Sequence, residues 1–337
     1  MKIGFGMVSA QRPPESAASD ADVYADLLEL AVSADTLGFD SFWLSEHHFV
    51  DDGYMPSLLP VAAAVAARTR SVKIGTGVIL APFHDPIRLA EDAATVDLIS
   101  RGRLVLGIGA GWRAAEFSGF GVPSTGLGTV IDETVEILRA AWGDGTVPAQ
   151  PPRTPVSVTP KPHRSPGPPI WIGARSRAGI RRAARIADGF LAARVSPDQL
   201  ATQVAELHAG LDATGRSRDA VDVAVHVPVF VTADRAWETV ASYVHYLEWK
   251  YAEMASSDSD GRPPAAVPPL DAGRAEVLRQ TGLFGTPDEV VAAIKEYARA
   301  VPAPLHFIAR LYWPGLERQA QLAAMRLFAS DVLPALQ

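Results

Sequence analysis

Eight short apolar, β-branched runs, nearly all followed by a stretch of helical periodicity, constrain this chain more than any other feature. The runs cover residues 2–8, 41–45, 72–80, 103–108, 169–172, 189–193, 221–231 and 304–311. Helical patterns occupy 20–37, 56–70, 86–100, 176–187, 197–214, 235–254, 287–300 and 316–333. Strand–helix alternation requires a parallel sheet with right-handed crossovers. Eight units predict an α/β chain folded as a closed (β/α)8 TIM barrel, an architecture of about 250 residues.

The chain has 337 residues, and the spacing of the runs says where the excess lies. The second, third and fourth strand ends recur at intervals close to the ~30 residues of a βα unit. The intervals after strands 4 and 7 are longer by about 33 and 49 residues against that ~30-residue unit. Two insertions, about 112–168 and 253–285, therefore account for the length, and a single domain is expected over 1–337. Thirteen of the 27 prolines fall in 148–169 and 263–269, inside those insertions. Loops after barrel strands lie on the C-terminal face, where active sites sit, so both insertions are expected over the site. The polar, Pro/Gly-rich stretch 256–273 reads as a lid, with an inert surface loop as the alternative.

Composition removes several function classes. The absence of cysteine excludes disulfides and thiolate chemistry. A net charge of −7 disfavours a nucleic-acid partner. No apolar stretch is long enough to cross a bilayer, and the start MKIGFGMVSAQ does not read as a signal peptide. A cytoplasmic protein is expected.

Chemistry-bearing residues collect at the ends of the predicted strands. Glu46-His47-His48 closes strand 2, and alternation lets one histidine at most face the barrel axis. A histidine there can move protons near neutral pH, although a packing role fits as well. Metal spacing is lacking. Gly107-Ile108-Gly109-Ala110-Gly111-Trp112 follows strand 4. Its G-x-G-x-G spacing is not the dinucleotide fingerprint, and the glycines read as room for a flat ligand or as a plain turn. Gly173-Ala174-Arg175-Ser176 leads into a helix whose amide end, with Arg175 and Ser176, suits a phosphate. Thr286-Pro287-Asp288-Glu289 reads instead as a structural capping box. Trp43, Trp112, Trp171 and Trp313 either line a planar-ligand pocket or fill the barrel. The G-x-S-x-G nucleophile elbow is missing.

Together, GFDSFWLSEHHF (38–49), VKIGTGVILAPFHDPIRLAEDAATVDLISRGRLVLGIGAGW (72–112), PIWIGARSRAGIRRAARIADGFL (169–191), GTPDEVVAAIKEY (285–297) and MRLFASDVLPAL (325–336) resemble the bacterial luciferase-like monooxygenase family. The resemblance implies a barrel with a flavin across its mouth, and His47 as the catalytic histidine that steers proton transfer at the flavin. It implies a cis peptide at Gly77–Val78, cofactor contacts from Thr76, Gly77, Val78, Gly109, Gly173, Ala174, Arg175 and Ser176, and substrate contacts from His48 and Trp112. The sequence departs from the luciferase subunits at Ala110, where they carry a phosphate-binding arginine.

The implied activity is oxidation of a small organic substrate with reduced FMN and O2, the FMN supplied by a separate reductase. A deazaflavin coenzyme used for hydride transfer is the alternative, and a non-catalytic flavin-binding barrel a third. The Ala-rich helices 56–70 and 86–100 match the face through which the family commonly forms a homodimer.

Overall fold

The computed structural model describes residues 1–147, 154–256, 266–302 and 304–336. Eight parallel strands form the barrel: β1 (Lys2–Val8), β2 (Ser41–Leu44), β3 (Lys73–Thr76), β4 (Leu104–Gly109), β5 (Ile170–Gly173), β6 (Gly189–Ala193), β7 (Asp222–Val231) and β8 (Leu305–Arg310). Each pairs with the next, and β8 pairs with both β7 and β1, which closes the ring. The third run is broken. Its pairing stops at Thr76, passes a cis peptide at Gly77–Val78, and resumes at Ile79–Leu80 against Ile108 and Gly109. A second non-prolyl cis peptide, which no sequence feature indicates, joins Gly6 and Met7.

Period-two alternation sorts each strand into two faces. Outward residues such as Ile3, Phe5, Phe42, Leu44, Ile74, Leu106, Ile172 and Phe307 are buried beneath the helices. Inward residues form a second core of Met7, Trp43, Val105, Trp171, Leu191, Ala224 and Ile308. Trp43 and Trp171 thus fill the barrel, with ring centroids 5.2 Å apart, instead of lining its mouth. Glycines make room for them. A Cβ on Gly75 would lie 2.3 Å from the Trp43 ring, and one on Gly189 would lie 2.4 Å from Trp171. The Trp43 indole donates to Ser41 Oγ (2.7 Å), which also lies 2.7 Å from His306 Nε2, and burial keeps this imidazole neutral.

The helices begin where their caps stand. Ser19 and Asp22 form a capping box on α1 (Asp20–Thr36), and Asp85 caps α3 (Pro86–Ser100). Between them α2 (Leu58–Arg68) presents Ala62, Val65 and Ala66 to the barrel. The stretch 112–168, expected as an insertion, holds two helices, α4 (Ala114–Phe120) and α5 (Leu127–Trp142). α5 buries Ile131, Val135, Leu138 and Trp142 along one stripe and packs on α3, with the Trp142 indole donating to Ala90 O (3.1 Å). It is the outer-ring helix after β4, so the added material is α4 before it and the proline-rich segment after it.

The outer ring continues with α6 (Arg177–Ile186), α7 (Pro197–Ala213) and α8 (Ala236–Ser256). In the second insertion α9 (Ala272–Arg279) precedes a short strand, Leu283–Gly285, that pairs in parallel with Val229–Val231 at the end of β7. Half of the expected lid, residues 257–265 of 256–273, lies outside the described residues. α10 (Pro287–Arg299) starts at the Thr286–Glu289 capping box, as the sequence indicates. α11 (Arg318–Leu327) then leads to the C-terminal turns, which bury Phe328, Val332 and Leu333.

Candidate active site

The backbone leaves β2 at Leu44 and carries Ser45 to His48 across the barrel mouth, with all four residues buried. Alternation splits the histidines as the sequence implies. His47 faces Tyr54, Trp112 and Tyr251, with ring centroids 4.8, 5.7 and 5.7 Å away. His48 turns the other way, among Phe49, Phe83 and Phe120, and its Nε2 donates to Glu46 Oε1 (3.2 Å). The structure therefore brings His47 and Trp112 together and sets His48 apart from them. Burial pushes the Glu46 carboxyl up, but His48, His84 and the Leu80 amide outweigh it and hold this group below the usual range.

The group that orients His47 is Glu116. Its Oε1 accepts from His47 Nδ1 (2.8 Å) and from the His48 amide (2.9 Å), and its side chain is fully buried. With Nδ1 donating to Glu116, Nε2 is the ring nitrogen left for the mouth. Three residues earlier, Arg113 donates to the carbonyls of His48 (2.5 Å) and Phe49 (3.2 Å). α4 thus clamps the histidine segment twice, and the first insertion completes the site instead of only covering it. The sequence holds no distinguishing mark of this. An acidic residue in the first turn of a helix reads as an ordinary complement to the helix dipole.

The second wall comes from α8. Tyr246 donates to Asp52 (2.7 Å), Lys250 pairs with Asp51 and Glu253, and the hydroxyls of Tyr251 and Tyr54 are 2.9 Å apart. Tyr54 Oη also meets Ser45 Oγ at 2.7 Å. Burial and Tyr251 hold the Tyr54 phenol well above its ordinary value, while Arg310 draws it down. Tyr54 is therefore a neutral hydroxyl that can donate or accept beside His47.

The strand-end glycines have an internal explanation. A Cβ on Gly107 would lie 1.9 Å from Thr76 O, one on Gly109 2.5 Å from Val78, and one on Gly173 2.7 Å from Val78. They seat the Thr76–Val78 segment, and so place Val78 at the top of the barrel interior. Thr76 itself is fully buried, and its hydroxyl exchanges two 2.8 Å hydrogen bonds with Gly107, which commits it to joining β3 and β4. Gly77 and Val78 are partly exposed beside it.

On the β5–β8 side the mouth is cationic. Ser176 caps α6 by accepting from Gly179 N (3.2 Å), and Ala174 packs within 2.6 Å of the place a Cβ on Gly179 would take. Arg175 is exposed and has no ion pair among the described residues. Arg194 pairs with Glu248 and lies over the Tyr251 ring at 5.7 Å. Burial, reinforced by Arg310 and Arg175, brings the Arg194 guanidinium down to about 10. His226 sits among the same arginines, and burial followed by Arg310, Arg194 and Arg175 brings it down to about 3. Trp313, buried with its indole on Val229 O (3.1 Å), and Trp112, 49% exposed, complete the predicted tryptophans. Among the described residues no histidine–carboxylate group is arranged to hold a metal ion.

His226 and His306, both brought down to about 3, give a pH prediction. The unfolded chain takes up these protons near pH 6.5 and the folded chain does not. Their contribution is complete above that value and is lost as pH falls, by about 2 kcal/mol per histidine at pH 5. Lowered carboxylates such as Glu46 and Asp35 act only at lower pH. The melting temperature should fall by several degrees between pH 7 and pH 5, and a flat profile there would contradict the neutral assignment.

A closed parallel barrel that gathers a buried His–Glu pair, tyrosine hydroxyls and arginines at its C-terminal mouth has the framework of a cofactor-using oxidoreductase. The family model for luciferase-like monooxygenases matches residues 1–303, and the chain belongs to that family. It is 35% identical over 159 residues to the oxygenase component of a flavin-dependent trigonelline monooxygenase of Acinetobacter baylyi (45% of this chain, 44% of that one). It is 28% identical over 355 residues to an F420-dependent glucose-6-phosphate dehydrogenase of Amycolatopsis mediterranei (100% and 99%). Two uncharacterized Sinorhizobium fredii proteins, 31% and 33% identical, are covered over only 61% and 60% of their own length. Among solved structures, the monooxygenase RslO1 of Streptomyces bottropensis superposes with a TM-score of 0.86 at 28% identity over the whole of both chains. The family contains both flavin-dependent monooxygenases and F420-dependent oxidoreductases. No helix of the described residues is long and apolar enough to cross a membrane.

Proposed function

We propose that this protein is a flavin-dependent monooxygenase that uses reduced FMN and O2 to oxidise a small organic substrate. The observation that carries the proposal is the buried His47–Glu116 pair, which presents one imidazole nitrogen to a mouth enclosed by Tyr54, Tyr251 and Trp112. The full-length likeness to RslO1 supports the oxygen-using side.

The residues present fit the cofactor. Arg175, unpaired beside the capped start of α6, suits the phosphate, with Gly173, Ala174 and Ser176 around it. Gly77 and Val78, partly exposed at the top of the barrel, offer a narrow apolar floor to a flat ring, and Gly109 seats Val78 from below. When bound, reduced FMN supplies the electrons that activate oxygen. The chain's own work is to hold and shield. His47 takes or returns a proton at Nε2 while Glu116 stabilises the charged imidazole, and the Tyr54 hydroxyl holds a polar group next to it. α8 and α4 keep water from the mouth. Trp112, beside His47, is assigned to the substrate side, whereas His48, turned onto Glu46, is assigned to holding the segment. A separate reductase supplies the FMN, and no nucleotide fingerprint for a nicotinamide follows any strand.

Arg175→Ala should weaken FMN binding by about 1.5–3 kcal/mol, the range for a lost charged hydrogen bond. Equal affinity in a fluorescence titration would place the phosphate elsewhere. The α2–α3 face, where Leu98 and Ile99 are 37% and 44% exposed, is assigned to a homodimer. Light scattering should give twice the chain mass, and a monomer at micromolar concentration would remove that assignment.

The deazaflavin reading keeps one specific support, the end-to-end likeness to the F420-dependent dehydrogenase. A paired assay separates the two. Substrate-dependent oxygen uptake with FMN and a reductase is expected, whereas deazaflavin bleaching under nitrogen without oxygen uptake would establish the alternative.

A further inference from the structure

The β8 strand ends in a feature that the chemistry above does not use. His306 and Ile308 face the barrel interior, and Arg310, two residues further along, continues that face at the top. Arg310 is 2% exposed. Its Nε and Nη2 have no hydrogen-bond partner, and no carboxylate lies within ion-pair distance among the described residues. The groups around it do not compensate its charge. Arg194 is engaged by Glu248, Arg175 carries the same charge, and His226, with Nδ1 unpartnered, is neutral.

A buried guanidinium without a partner costs several kcal/mol, so retaining one implies a counter-charge brought by a ligand. The two free nitrogens lie on the same edge of the guanidinium plane. That edge forms two parallel N–H···O bonds to a planar group with two acceptor oxygens. Arg310 acts on the Tyr54 phenol, which in turn packs 4.8 Å from the His47 ring. Register places the fork at the C-terminal end of the barrel, the end at which His47 lies.

We infer that Arg310 is a specificity-determining residue that binds a carboxylate of the substrate side-on, so that the substrate class is small organic acids. This deepens the proposed function and rests on the barrel mouth being the substrate site, but its test needs no flavin. The apoprotein is titrated by calorimetry with benzoate and with its neutral isostere benzamide. Benzoate should bind at least about tenfold more tightly, the size of one charged bidentate contact. Arg310→Gln should bring the two affinities together, and Arg310→Lys, which keeps the charge without the fork, should lose most of the preference. Benzoate should raise the melting temperature of the wild-type protein and leave that of Arg310→Gln unchanged.

Equal binding of benzoate and benzamide by the wild type would overturn the inference. So would a preference that survives Arg310→Gln. Unchanged benzoate binding in Arg310→Gln, with reduced-FMN affinity altered tenfold, would hand the fork to the cofactor and equally overturn it. If the protein binds no flavin yet prefers benzoate through Arg310, the cofactor reading fails and this one stands.

Discussion

His47→Ala is expected to lower turnover by about 10²-fold or more, the usual yield of a positioned general acid–base. Folding and flavin affinity should change little. The imidazole is held by one hydrogen bond to Glu116 and edge contacts with three aromatic rings, and the segment's backbone is anchored independently. The His47 amide donates to Met55 O (3.2 Å), and Arg113 with Glu116 holds His48. The variant should therefore keep the wild-type melting temperature within a few degrees while losing activity. Glu116→Gln sharpens the result. An amide oxygen can still accept from the His48 backbone, so the segment stays in place, but the charge that stabilises a protonated His47 is gone. Turnover should fall there too, with substrate affinity kept. Full activity in His47→Ala would take the proton-handling role away from this residue.

The second large effect is structural. Gly107→Ala should prevent normal folding or lower stability by about 3 kcal/mol or more, at the upper end of overpacking costs. The added methyl would sit 1.9 Å from the Thr76 carbonyl oxygen, which is backbone and cannot rotate away. Relief requires β3 to separate from β4, which breaks both 2.8 Å hydrogen bonds between Thr76 and Gly107. Val78 would move with them, and with it the floor of the mouth. Gly145→Ala is the control, because nothing lies within 4 Å of the place its methyl would take and its bend is remote from the barrel strands. Chemical denaturation of the two variants side by side measures the difference. Equal stability would mean that the β3–β4 contact is looser than its geometry indicates.

These two positions also show what could be read in advance. The barrel was legible because its periodicity is carried by dozens of residues, and each strand run landed within a few residues of its place. That one histidine of the 47–48 pair faces the mouth was legible from period-two alternation, which sends neighbouring side chains to opposite sides. The glycines of 107–111 were visible as glycines, but the reason for them was not. Their spacing fits a flat ligand or a plain turn, and the structure puts Thr76 and Val78 against Gly107 and Gly109. α5 was hidden by the length arithmetic, which assigned its residues to an insertion although Ile131, Val135, Leu138 and Trp142 keep a helical stripe. Glu116 and Arg310 were invisible for a deeper reason. Each is one charged residue in an ordinary local pattern, a first helical turn and a strand, and its meaning comes from elements about 70 and 250 residues away in sequence. For Arg310 the one available signal was register: a cation on the inward face of a barrel strand.

On the proposed function, the mouth is built for a reduced flavin. Anaerobic titration of the apoprotein with reduced FMN and, separately, with a reduced deazaflavin coenzyme tests it most directly, with tryptophan emission as the readout because Trp112 stands beside His47. Reduced FMN should bind at least about tenfold more tightly, equivalent to about 1.4 kcal/mol. The reverse order, or binding of neither, would contradict the claim.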